Sequence, residues 1–210
     1  FAAYTGTTDF ISFLLLGTAL ASFVGAVFWG MGYSLKDDMN AGVLEANWLC
    51  PIPRLFLLVG HTFANLLVTA VTSVVMLAVA GLLFGFHPTG EVLAAVLAAL
   101  PMIIGLYGFG FAMAALVLVL RDANMLVDMS NFLVQLLSGS QFPVMALPKW
   151  LLPVAFAMPL TYGFDAVRGL LLGTQTLLPV QVEIALLIVF MFVMIALGVL
   201  AFRSMERWAS

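Results

Sequence analysis

The sequence predicts an all-α membrane protein, and three observations carry that prediction. Hydrophobic residues make up 64% of the 210 and charged residues only 8%, whereas a water-soluble globule carries about a quarter charged residues. Mean hydropathy is +1.20. The apolar residues fall in long charge-free runs, near or above the roughly 20 residues that a helix needs to cross about 30 Å of hydrocarbon. They do not alternate as barrel strands do.

Taken in order, the runs place five spans in one transmembrane domain over residues 1–210, at about 10–35, 55–86, 92–120, 124–147 and 184–203. The stretch 148–180 differs. Its apolar pieces are short, Asp165 and Arg168 split them, and Pro148, Pro153, Pro159 and Pro179 punctuate them. Pieces of that length predict a re-entrant helical hairpin. Asp165 and Arg168 are one helical turn apart, a spacing that predicts mutual pairing. No internal repeat is visible, so the inverted-repeat plan of many secondary transporters has no support.

The connection between the first two spans, "KDDMNAGVLEANWLCPIPR" from Lys36 to Arg54, holds five of the chain's seventeen Lys, Arg, Asp and Glu residues. Residues 37–50 read as a short helix with acidic residues in its first turn and a mildly apolar face of Met39, Val43, Ala46 and Cys50. Pro51 and Pro53 stop it. Two readings fit: an amphipathic linker on the bilayer surface, or a docking knob for a soluble partner, with Trp48 beside acidic residues. Five spans put the two ends of the chain on opposite sides. One side then collects Lys36, Arg54, Arg121, Arg203 and Arg207, the other Lys149 and Arg168, which makes the first side cytoplasmic. Trp150 and Trp208 suit the two interfaces.

Composition and motifs exclude several functions. The net charge of −3 includes no basic stripe for a nucleic acid. A single cysteine, Cys50, excludes an intrachain disulfide. His61 and His87 lack second ligands at metal spacing, so no metal is expected. No nucleophile–base set is visible, and Ser138 and Ser140 read as small residues that let helices approach. No phosphate loop is present, so the chain is expected not to hydrolyse ATP itself. The chain opens at Phe1 rather than Met, which predicts a segment preceding it. Asp128 lies about 10 Å along a helix from Arg121, where a hydrated or paired carboxylate is expected. Gly81 and Gly85 form a GxxxG, Ala21 and Gly25 a small-xxx-small pair, and both read as close packing inside one subunit. Gly105, Gly108 and Gly110 are expected to let the third span flex or curve. The many Met and Phe residues suit lipid contact or a deformable pathway wall.

Several segments resemble the membrane subunit of ABC-2 type ABC exporters. Gly42-Val43-Leu44-Glu45-Ala46-Asn47-Trp48-Leu49-Cys50-Pro51 is similar to that family's coupling-helix segment, and Arg121-Asp122 to a short cytoplasmic turn. Ser138-Gly139-Ser140-Gln141-Phe142-Pro143 through Leu147-Pro148 is similar to a "small-Gly … Phe/Tyr-Pro … Leu-Pro" signature. Pro159-Leu160-Thr161-Tyr162, with Asp165 and Arg168-Gly169, resembles the outer hairpin before the final span. The resemblance covers nearly the whole chain. It implies the type V ABC transporter membrane fold, usually of six spans, so that the first span would be the one missing.

The resemblance further implies two paired permease chains, identical or not, in a prokaryotic inner membrane. Two cytoplasmic ABC ATPase subunits would dock beneath them, with ATP and Mg held on those subunits and no cofactor on this chain. Gly42, Leu44, Glu45, Trp48, Pro51 and Arg54 would couple to the ATPase. Pro143, Pro159, Tyr162, Asp165 and Arg168 would shape the outer hairpin. The expected function is export of an amphipathic molecule, whether drug-like, lipid or lipid-linked glycan. A polysaccharide-exporting ABC permease and a proton-coupled carrier are the alternatives, with an intramembrane enzyme third.

Overall fold

The structure, a computed structural model, describes residues 10–40, 42, 54–85, 90–119 and 124–208, with side chains described there except at 31–40, 54–59, 61–62, 112–119, 124, 199 and 201–208. In chain order come α1 (Phe10–Asn40), α2 (Arg54–Phe84), α3 (Val92–Val119), α4 (Asn124–Leu137), a 3-10 turn (Val144–Ala146), α5 (Leu152–Ala157), α6 (Pro159–Leu172) and α7 (Val180–Trp208). No strand occurs among the described residues. Segments Phe10–Gly30, Phe63–Phe84, Val92–Phe111 and Val180–Gly198 are each long and apolar enough to cross a bilayer.

Named contacts fix the direction of every long helix. The hydroxyls of Ser22 and Ser73 are 2.9 Å apart, and Gly30 lies against the Asn65 side chain, so α2 runs antiparallel to α1. Trp29 Nε1 donates to Asp128 Oδ1 at 3.1 Å, while Gly17 lies against the Ser140 carbonyl; α4 therefore also opposes α1. Gly105 meets Phe190 and Met191, and Gly108 meets Met194 and Ile195, so α3 and α7 run parallel. Gly90 N–H donates to Leu171 O at 3.2 Å and Gly163 meets Met102, so α6 opposes α3. Helix α6 thus starts deep, beside Met102, about 15 Å along α3 from its first turn at 1.5 Å per residue. It climbs back toward the end where α3 begins. Helices α5 and α6 are thus two short pieces joined at Met158, with α6 running back along α3.

The core lies where α1, α3, α6 and α7 converge, with Val24, Phe28, Met102, Leu106, Phe164 and Leu187 at 2% exposure or less. In lipid, apolar surface gains little from contact with another apolar helix, so close packing decides association. Glycines supply it between α3 and α7. A Cβ on Gly108 would stand 2.6 Å from Met194 C, and one on Gly198 2.5 Å from Gly108 O. Gly105 and Gly108 are thus positions where the α7 backbone approaches α3 too closely for a side chain. Gly85 instead follows α2 with φ +67 and nothing near its missing Cβ, so only Gly81 of that GxxxG is inside the helix.

Three boundaries differ from the sequence reading for physical reasons. The fourth run, expected to stay helical to 147, ends at Leu137, after about 21 Å. Gly139 takes φ +68, a left-handed conformation that closes helices. Gly139 N–H then bonds Leu136 O and Ser140 N–H bonds Gln135 O. Of the helix expected over 37–50, residues 37–40 complete α1 instead, and Gly42 has φ +66; Leu44, Glu45, Trp48 and Pro51 lie outside the described residues. The last helix starts at Val180 rather than 184, directly after Pro179. Glu183 is thereby drawn inside it.

Candidate functional site

The hairpin is built by its prolines. Pro143 precedes the 3-10 turn with an extended backbone. Pro159 opens α6 at a position where its missing N–H costs nothing, and Gly173, φ 64, closes that helix. Met158 breaks the chain between α5 and α6. Tyr162 Oη donates to Phe156 O at 2.8 Å and Thr161 Oγ1 to Ala155 O at 2.7 Å, so α6 side chains tie down carbonyls at the end of α5.

Arg168 is the hub. It is 3% exposed, with Nη1 donating to Gly139 O at 2.8 Å and Nη2 to Ser140 O. Its guanidinium carbon stands 3.6 Å over the Phe13 ring, within reach of the ring quadrupole. A side chain on Gly17 would collide with Arg168 Nη2 and Ser140 O. One cation therefore joins α1, the turn after α4, and α6. The pairing expected between Asp165 and Arg168 is corrected here. The hydrogen bonds of Arg168 go to carbonyls, and Asp165 acts on it electrostatically, supporting a charge that burial works against. The turn at Gly139 leaves two carbonyls facing the guanidinium, and they take its donors.

Asp165 hydrogen-bonds a different segment. Its Oδ2 accepts the Leu177 N–H at 2.6 Å, and Glu183 Oε1 accepts the adjacent Leu178 N–H at 3.1 Å. Two consecutive amides thus bring two carboxyl groups side by side. Glu183 is fully buried. Sequence reasoning missed it because the last span was started one residue later; its place in the first turn after Pro179, where a helix favours acidic residues, was the available signal. Beside this cluster is a cavity of about 30 Å³ lined by Phe13, Ser138, Asp165, Arg168, Thr174 and Gln175, among others, enough for a water molecule. No group of three or more metal-ligating side chains occurs among the described residues.

A second face lies between α1 and α4. Met125, Met129 and Phe132 are exposed on one side of α4 with Asp128, and Trp29, half exposed, is bonded to that carboxylate from α1. A charge facing hydrocarbon costs about 2.5–3.5 kcal/mol, so this face is stable where water reaches it. Of the coupling residues expected from the sequence, Arg54 begins α2 and Gly42 follows α1. Those two flank the undescribed stretch at the same end of the bundle as Asp128.

The family model described as ABC-2 type transporter matches residues 3–172. The chain is 28% identical over 182 residues to proteins described as the probable doxorubicin resistance ABC transporter permease protein DrrC, from the CDC 1551/Oshkosh and ATCC 25618/H37Rv strains of Mycobacterium tuberculosis. The alignment covers 83% of this chain and 62% of each relative. The chain thus spans less than two thirds of the curated relatives it matches.

Proposed function

Because the chain belongs to the ABC-2 type transporter family, we propose that it is the permease subunit of an ATP-driven exporter that moves an amphipathic molecule out of the cytoplasm. The observation that carries the cargo class is the α1–α4 face. Exposed Met and Phe side chains adapt to varied apolar shapes, and the Trp29–Asp128 pair supplies one polar anchor among them. A polyanionic or highly polar solute would find few partners there. The drug-resistance description of the mycobacterial relatives agrees with such a cargo.

In this reading ATP and Mg are held by separate ABC ATPase subunits, and a second permease chain completes the pathway in a prokaryotic inner membrane. Helix α1 runs unbroken from the Arg168 contact to Asn40, a rigid connection between the outer hairpin and the segment a motor would push. The test is reconstitution of the chain with its cognate ATPase in proteoliposomes. ATP hydrolysis should rise above that of the ATPase alone and respond to amphipathic compounds. Asp128→Asn should alter which compounds stimulate. Equal hydrolysis with and without the chain would overturn the reading.

A further inference from the structure

We propose that Asp165 and Glu183 form a proton-binding site at the junction of the outer hairpin and the last span, holding one proton between their two carboxyl groups. Hydrogen-bond geometry at the two acids carries it. Glu183 is fully buried, its Oε1 is occupied by the Leu178 N–H, and its Oε2 has no donor. A buried carboxylate oxygen without a donor is strongly disfavoured. Its neighbour is another acid, whose Oδ2 is taken by the Leu177 N–H. Two ionised carboxylates side by side repel, and one proton placed between them turns that repulsion into a hydrogen bond. The same proton gives Oε2 its partner.

The surrounding charges do not supply an alternative. Arg168, on α6, commits both Nη groups to Gly139 and Ser140, its Nε bonds neither carboxyl, and its charge offsets the single negative charge left on the pair. From α3 come only Tyr107 and, just before it, Glu91; among the residues whose side chains are described, α7 brings no titratable group besides Glu183 and α1 brings none. The turn after α4 contributes Lys149, which is exposed. Asp165 is part-exposed and lines the cavity together with exposed Gln175, so a proton arrives from, and leaves to, water at that opening. Binding changes the pair from two negative charges to one.

The direction with pH follows. Burial raises the Asp165 carboxyl above its ordinary range, against the smaller lowering effects of the Leu177 N–H, Glu183 and Arg168. A raised carboxyl stabilises the fold below its unfolded value and loses that contribution as pH rises through the folded one. The junction of α6 and α7 is therefore tightest in acid and loosens toward alkali.

The full chain in lipid nanodiscs, without nucleotide or cargo, tests this by infrared spectroscopy and melting across pH. A protonated-carboxyl signal should be present in the wild type near neutrality and lost in both Glu183→Gln and Asp165→Asn, since either amide replaces the shared proton with N–H donors. Melting temperature should fall with rising pH in the wild type and be flat in Glu183→Gln. Absence of the signal in the wild type, or its persistence with an unchanged pH slope in Glu183→Gln, overturns the proposal. If Glu183→Gln does not fold, Asp165→Asn is read the same way. Neither readout involves ATP or transport, so the result stands apart from the fate of the export reading.

Discussion

A guanidinium sealed among apolar helices needs polar or aromatic partners, and Arg168 has two carbonyls on its Nη groups and a phenyl ring against its guanidinium carbon, while its Nε is left without a hydrogen-bond partner. Replacing it with methionine keeps much of the volume and leaves the Gly139 and Ser140 carbonyls without donors. At about 1.5–3 kcal/mol per charge-assisted bond, Arg168→Met should lower stability by about 3 kcal/mol or more, read as a melting shift in nanodiscs. Arg168→Lys should recover only part of it, because an ammonium cannot span two carbonyls and a ring face as a planar fork does. Equal melting of Arg168→Met and the wild type would remove the hub role. The one-turn spacing of Asp165 and Arg168 was legible in the sequence; their actual partners were not. Those partners are the Gly139 and Ser140 carbonyls at a left-handed glycine turn and the Leu177 amide, and backbone groups leave no trace in residue identity.

Helix lengths divide by what ends them. Spans bounded by charge or proline were legible to within a few residues, as at Arg54–Phe84 and Val92–Val119. Helix α4 was overestimated because its end is made by Gly139, φ +68, inside an apolar run. Glycine has two structural meanings here that the sequence pattern does not separate. Gly108 faces the α7 backbone, whereas Gly25 has only its own helix's Trp29 ring nearby, at 3.4 Å. Gly108→Ala should therefore cost roughly 1–3 kcal/mol by overpacking, and Gly25→Ala should melt within about 0.5 kcal/mol of the wild type, as substitutions without close neighbours do. Similar melting of the two variants would contradict the α3–α7 approach. The segment joining α1 to α2 carries a different prediction, since the proposed function assigns it contact with another polypeptide. Glu45→Ala and Trp48→Ala should leave the melting temperature in place while reducing cargo-driven ATP hydrolysis and transport at least several-fold. Unchanged transport in both would assign the segment to the membrane surface as a linker.

At the scale of the molecule, the contacts make α1, α3 and α7 run one way and α2 and α4 the other, so five helices alternate in direction along the chain. That alternation gathers the end of α1, the start of α2 and the end of α7 at one face, with chain positions Lys36, Arg54, Arg203 and Arg207. The hairpin, with Lys149 and Arg168, lies toward the other. The depth to which α6 returns was not legible in the sequence, because it depends on Gly163 seating against Met102. Excess cations mark the cytoplasmic side, and the chain offers a direct check, since Cys50 is its single cysteine and falls between α1 and α2. A membrane-impermeant thiol reagent should leave Cys50 unlabelled in intact cells and label it in inside-out vesicles. Moving the thiol to the exposed Gln175 of the hairpin loop, in a Cys50→Ser background, should invert both results. Labelling of Cys50 from outside intact cells would place the segment between α1 and α2 away from any cytoplasmic ATPase, and no exporter of the proposed kind could then be driven through it.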